Sequence, residues 1–170
     1  DAEFDGENAR YTFKIVSEET PPIEGLYLKT SPYKIGDTKE QQIDEYVQGD
    51  LYLSRIAPKT DMYTFLRNLD TNADNLQILQ GTNSVDDGFV GTGMKIILSK
   101  QGCEDIELIL VVTGDIDGDG YVTAADLADT IKLTLGVGNL KEEQMRAVDM
   151  DEDGYITAAD LADEIKYTLM

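Results

Sequence analysis

Histidine and tryptophan are absent from this chain of 170 residues, and cysteine occurs once, at Cys103. Without His, and with a single Cys, neither a zinc site nor a Ser-His or Cys-His catalytic pair can be assembled within it. Cys103 has no intrachain disulfide partner and reads as a small, partly buried apolar residue beside the strand that follows. Positive charge is scarce: 14 Lys and Arg stand against 34 Asp and Glu, a formal net charge of −20. Phosphates are repelled by such a surface, so neither nucleic acid nor an anionic membrane is expected as a partner, and a cation is. Long apolar runs are lacking too. The longest, Leu108 to Val112, is strand-sized, so no membrane insertion is expected. No signal segment is present. A start at Asp1 is what a processed chain or an excised piece shows, which leaves secretion open.

What remains suits a folded protein. Hydrophobic residues make up 41% and charged residues 28%, enough for a packed core, and the length suits one domain or two small ones. Tyr11 to Val16 alternates and is rich in β-formers, which predicts a strand; Ser17 to Pro22 is a breaker-rich connection. Further strands are predicted at Leu26–Leu28, at Tyr46–Ile56 with an interruption near Gly49, at Leu76–Leu79, Phe89–Val90, Met94–Leu98 and Ile106–Val112. Between them, Thr60 to Leu69 predicts one short helix, capped by Thr60, with Met62, Phe65, Leu66 and Leu69 on a core-facing side. Residues 1–113 therefore read as a mainly antiparallel β module, of sandwich type, in an α+β chain of two modules. Residues 1–24 either open this module or end a preceding domain. No carboxylate pair at catalytic spacing stands out, so an enzyme is not expected.

At Gly114 the composition changes and an internal repeat begins. Asp115–Leu135 and Asp149–Leu169 are offset by 34 residues and identical at 16 of 21 positions. They differ at Ile116/Met150, Gly118/Glu152, Val122/Ile156, Thr130/Glu164 and Leu133/Tyr167. Each copy opens with a twelve-residue calcium loop, ligating at positions 1, 3, 5, 7, 9 and 12. The expected ligands are Asp115, Asp117, Asp119, Tyr121, Thr123 and Asp126 in the first loop. In the second they are Asp149, Asp151, Asp153, Tyr155, Thr157 and Asp160. Alternate residues on a curling loop aim hard oxygens at one centre. Gly120 and Gly154 at position 6 permit the sharp turn, position 7 offers its backbone carbonyl, and Thr at position 9 acts mostly through a water. Asp126 and Asp160 stand where Glu is usual, so each loop must draw in to be closed by both oxygens. Two Ca²⁺ sites follow. Four carboxylates crowded in each loop would repel one another without a cation.

Each loop runs into an amphipathic helix, with Leu127, Ile131 and Leu135, and again Leu161, Ile165 and Leu169, on a predicted core stripe. Val122 and Ile156 are expected to pair the two loops as a tiny sheet, and Leu140–Val148 to form a short connecting helix. A helix before the first loop is missing; a strand and Thr-Gly stand there, unlike a complete EF-hand.

This arrangement, two calcium loops each with only a following helix and a Gly-Asp lead-in, resembles the dockerin family over residues 114–170. The resemblance implies a small α module of two near-symmetric loop-helix units, docking calcium-dependently onto a β-sandwich cohesin of a scaffold or cell-surface protein, as in bacterial cellulosomes. It implies a cohesin-facing set of Ala124, Ala125, Ile131 and Lys132, and symmetrically Ala158, Ala159, Ile165 and Lys166. Members often carry hydroxyl residues at loop positions 10 and 11; this chain has Ala-Ala twice. The preceding region is similar to the Ig-like X modules of clostridial proteins at Ile56–Thr60 with the helix to Leu69, at Val90–Met94 and at Val111–Asp115. Such modules stiffen or extend a dockerin. The resemblance thus implies a non-catalytic adaptor of a secreted or cell-surface bacterial protein, tied to polysaccharide degradation only indirectly. Two other readings stand beside it. One is a calcium sensor or buffer, against which the missing entering helix argues. The other is a carbohydrate-binding or enzyme-associated β domain carrying a calcium module, for which nine Tyr and four Phe remain available.

Overall fold

The computed structural model describes residues 25–36 and 51–169. The strand expected at 11–16, the connection at 17–22, the tail question at 1–24 and the first half of the strand expected from Tyr46 lie outside the described residues. Eight strands and four helices are described: β1 (Leu28–Thr30), β2 (Lys34–Ile35), β3 (Leu51–Ile56), α1 (Met62–Arg67), β4 (Leu69–Thr71), β5 (Asn75–Gln80), β6 (Asn83–Ser84), β7 (Lys95–Ser99), β8 (Ile106–Val112), α2 (Ala124–Thr134), α3 (Glu142–Val148) and α4 (Ala158–Thr168). Strands occupy the N-terminal part, with α1 among them, and helices the C-terminal part.

Six strands form one sheet in the order β2-β3-β8-β7-β5-β6, and β1 pairs with β4 in a two-stranded ladder. The sheet is antiparallel except at β3 and β8, which run parallel, Leu53 opposite Leu110. From Leu108 to Val112 strand β8 is apolar without a break because both its faces are covered there. Leu108, Leu110 and Val112 join the main core with Leu53, Ile56, Phe65, Ile96 and Leu98. Val111 points the other way, into a second cluster with Tyr52 and Ala147 of α3. A run with no polar alternation is what a strand buried on both faces requires. The helix between the two acidic loops therefore covers the back of the β sheet, and the guanidinium of Arg146 lies 4.4 Å over the Tyr52 ring.

Several local expectations are corrected. Helix α1 is capped by Asp61, whose side chain accepts from Thr64 N at 2.9 Å, while the Thr60 hydroxyl turns back to Ala57 O. An ionised carboxylate at the cap outcompetes the hydroxyl one residue earlier. Phe89–Val90 is no strand: one bridge joins Asp61 to Phe89, because the glycines on both sides turn the chain away. Strands β2, β4 and β6, of two or three residues, are too short to show alternation. The described residues carry no ladder between Val122 and Ile156. The Val122 side chain instead fills the space beside Gly114.

The helical stripe is corrected too. Leu127 and Leu161 are half-buried, but Leu135 and Leu169 are 73% and 82% exposed, and Ile131 and Ile165 41% and 40%. The buried residues of α2 and α4 are instead polar, Asp126, Thr130, Asp160 and Glu164, and Thr130 faces Glu164 across the pair. Among the described residues no helix is long and apolar enough to cross a membrane.

Candidate functional site

Both acidic loops fold by the same local rules. In the first, Asp115 receives Asp119 N at 3.1 Å on one oxygen and Gly120 N at 3.1 Å on the other. Asp119 receives Tyr121 N at 2.8 Å. In the second, Asp149 receives Asp153 N and Gly154 N, and Asp153 receives Tyr155 N at 2.7 Å. These short side-chain to backbone bonds curl each loop around its carboxylates. Gly120 and Gly154 sit at φ +84° and +86°, the left-handed region that position 6 demands. At the far end Thr123 and Thr157 cap α2 and α4, and Asp126 and Asp160 complete capping boxes. The last loop carboxylate thus also starts the helix.

Oxygen atoms of Asp115, Asp117 and Asp126 lie within 4.8 Å of one another, as do those of Asp149, Asp151 and Asp153. The donors are hard oxygens only, in a tight curl, which fits a calcium ion better than a thiophilic metal. Asp119 stands outside the first group and Asp160 outside the second. Asp160 is held by Met150 N at 2.9 Å and Thr157 N at 2.8 Å, so its carboxylate faces the loop backbone. Asp126 has the matching bonds to Ile116 N and Thr123 N and still joins its group. Burial, reinforced by the charge of Asp126, pushes the Asp115 carboxyl up to about 6. Burial likewise raises Asp117 and Asp149. Such a cluster favours a bound cation over free carboxylates. Of the other expected ligands, Thr123 and Thr157 spend their hydroxyls on the helix caps. The Tyr121 ring packs edge-on against Phe89 at 5.0 Å, whereas Tyr155 is 72% exposed.

Ala124, Ala125, Ile131 and Lys132 are exposed on one loop-helix unit, and Ala158, Ala159, Ile165 and Lys166 on the other. Lys132 pairs with Asp129 and Lys166 with Asp163 at the same relative position. Two matching, partly apolar faces therefore look outwards.

The contacts of the loops with the sheet went unforeseen. Asp115 Oδ2 accepts from Thr92 N at 2.9 Å, and Gly120 O accepts from Lys59 N at 2.8 Å. On the other loop, Glu152 accepts from Arg55 Nε and Nη2 at 2.7 Å each and from Lys34 at 2.9 Å. The two cations hold the Glu152 carboxyl down to about 2, the Arg55 bond being the largest cause. A groove of about 630 Å³, lined by Lys34, Ser54, Met145, Arg146, Tyr155 and Ile156 among others, runs along this junction. The signal for these contacts was the difference between Gly118 and Glu152 at one repeat position.

Comparison with curated proteins finds no match, and comparison with solved structures finds none either. Residues 113–168 match the family model of the dockerin type I domain, and dockerin domains bind calcium and dock onto cohesins in a calcium-dependent way.

Proposed function

We propose that this chain is a non-catalytic docking piece of a secreted or cell-surface bacterial protein. Each loop, Asp115–Asp126 and Asp149–Asp160, holds one calcium ion. Calcium fixes the starts of α2 and α4, and their outer faces engage a cohesin on a scaffold protein. The β region is an Ig-like, sandwich-type module that stabilises and spaces the docking unit; Leu28 of the small ladder and the six-stranded sheet share one core. Polysaccharide is met only through the larger assembly.

The observation that carries this reading is the pairing of converging carboxylates with matched outward faces. Ile131 and Ile165 are exposed to nearly the same degree, 41% and 40%, at equivalent helix positions one turn beyond the loops. Isolated leucines and isoleucines outside are ordinary; two equivalent apolar-basic faces in one small module are a docking surface. The test is capture of the chain on a panel of immobilised cohesins, with calcium and with chelator. Capture by at least one cohesin in calcium, lost on chelation and lost on Ala124→Asp with Ala158→Asp, is expected. Capture by none of them in calcium, or capture indifferent to calcium, would overturn the reading.

A further inference from the structure

An EF-hand holds the start of its loop with an entering helix, and the first loop here has none. Its start is held from elsewhere. Asp115 is fully buried and its Oδ2 accepts from the backbone N–H of Thr92, 23 residues earlier. Thr92 is itself fixed by strand β8: its hydroxyl donates to Val112 O at 3.2 Å and accepts from Val112 N at 3.0 Å. The approach is so close that side chains are excluded on both sides. A Cβ on Gly118 would stand 2.6 Å from Thr92 O, and one on Gly91 would overlap the carbonyl of Gly118. The equivalent aspartate of the second loop, Asp149, has no such partner on the sheet among the bonds described.

We infer that the Gly91-Thr92 turn of the β module is a positioning element of the first calcium site and does there what an entering helix does elsewhere. The inference rests on the calcium reading above. Thr92 is no ligand. Its N–H orients Asp115, so that the carboxylate presents its oxygens at the loop centre before the cation arrives. Gly91 has no side chain because the loop backbone occupies that space. Its φ lies outside the left-handed region, so alanine there is compatible with the turn itself and offends only the loop.

Calorimetric titration of the whole chain with calcium alone tests this. Loop 1 is read with Asp151→Ala in the background and loop 2 with Asp117→Ala. Gly91→Ala should weaken loop 1 by at least about tenfold, the usual cost of disturbing a group that orients a ligand, and leave loop 2 within about twofold. It should also speed amide exchange at Thr92 N–H in the calcium-free chain, a change a general loss of stability would not confine to that amide. Undiminished affinity at loop 1, or equal weakening of both loops, overturns the inference. Should Gly91→Ala fail to fold, Thr92→Val decides. Loss of the two hydroxyl bonds to Val112 should cost loop 1 about threefold, and unchanged affinity overturns the inference. An unmutated chain that binds no calcium at loop 1 would sink the calcium reading itself, a result distinct from the others.

Discussion

The two acidic loops are near-copies in sequence and opposites in surroundings. Loop 1 is buried against the sheet: Asp115, Ile116, Gly118 and Gly120 are all inside. Loop 2 is exposed along Asp151–Tyr155, and its hydrogen bonds to the sheet among the described residues run through the Glu152 side chain. The differing positions follow this division. Ile116 is buried where Met150 is half-buried. Gly118, at φ +82°, lies against Thr92 O, while Glu152, at φ +58°, reaches across to Arg55 and Lys34. Thr130 and Glu164 differ because they share one buried place between α2 and α4, where two glutamates would repel. Repetition alone would have left these positions alike; contact with a β module that has no two-fold symmetry sets Gly118 and Glu152 apart.

The largest expected effect comes from exchanging the residues at the fourth loop position. Gly118→Glu forces a Cβ within 2.6 Å of a backbone oxygen and adds left-handed strain, with no room for the chain to yield. It should cost about 3 kcal/mol or more. Glu152→Gly loses ion pairs at a partly exposed site but relieves strain, so a loss under about 1 kcal/mol is expected. Urea unfolding of both variants reads the contrast. Equal losses would mean that the loops are equally supported and that the burial of loop 1 contributes nothing special.

Much of this was legible beforehand, for identifiable reasons. The acidic loops announce themselves because alternate aspartates and a glycine recur at fixed spacing, and Gly120 and Gly154 mark turns that only particular backbone angles make. Strands β7 and β8 were legible from β-branched and leucine runs, and β5 from Leu76, Ile78 and Leu79 among polar residues. What was hidden depended on distant partners. The exposure of Leu135 and Leu169 was missed since periodicity locates an apolar face but does not say what lies opposite. The parallel pairing of β3 with β8 sets Leu53 opposite Leu110, far along the chain, and no local pattern encodes it. The Thr92 contact goes through a backbone N–H, which every residue but proline offers, and so it leaves no mark of residue type; only the glycines around it do.

A smaller effect separates the helices by pH. Glu164 is buried, and no hydrogen bond of ordinary geometry reaches its oxygens among the described residues. Burial pushes its carboxyl from 4.5 up to about 7, the Thr130 hydroxyl opposing this only in part. The folded chain therefore holds a proton that the unfolded chain releases. The stability this contributes is complete below pH 4.5 and is lost as pH rises through 7. Asp115, raised to about 6, adds a loss of the same sign in the calcium-free chain. Glu164→Gln removes the first contribution and leaves the second. Thermal unfolding without calcium, at pH 5 and pH 7.5, should show the variant losing on the order of 2 kcal/mol less than the unmutated chain. Parallel behaviour of the two would mean that Glu164 is solvated in solution.

The smallest effect concerns the clamp on loop 2, and here the sign is reversed. The cations beside Glu152 hold its carboxyl down to about 2, so its contribution is present above pH 4.5 and lost as pH falls through 2. Arg55 and Glu152 both sit in the left-handed region, at φ +63° and +58°, so each end of the ion pair stores strain that the pairing must offset. Arg55→Ala removes the fork of two bonds and keeps the strain at residue 55. Arg55→Gly removes the same bonds and releases that strain. The alanine variant should lose about 1 kcal/mol in urea unfolding at low salt and less at high salt, because the pair is partly exposed and screened. The glycine variant should lose less than the alanine variant at either salt concentration, provided relief of the folded backbone exceeds the extra freedom glycine gives the unfolded chain. A glycine variant weaker than the alanine variant would show that the left-handed turn at Arg55 costs little, and that the clamp is an ordinary surface ion pair joining loop 2 to the sheet edge.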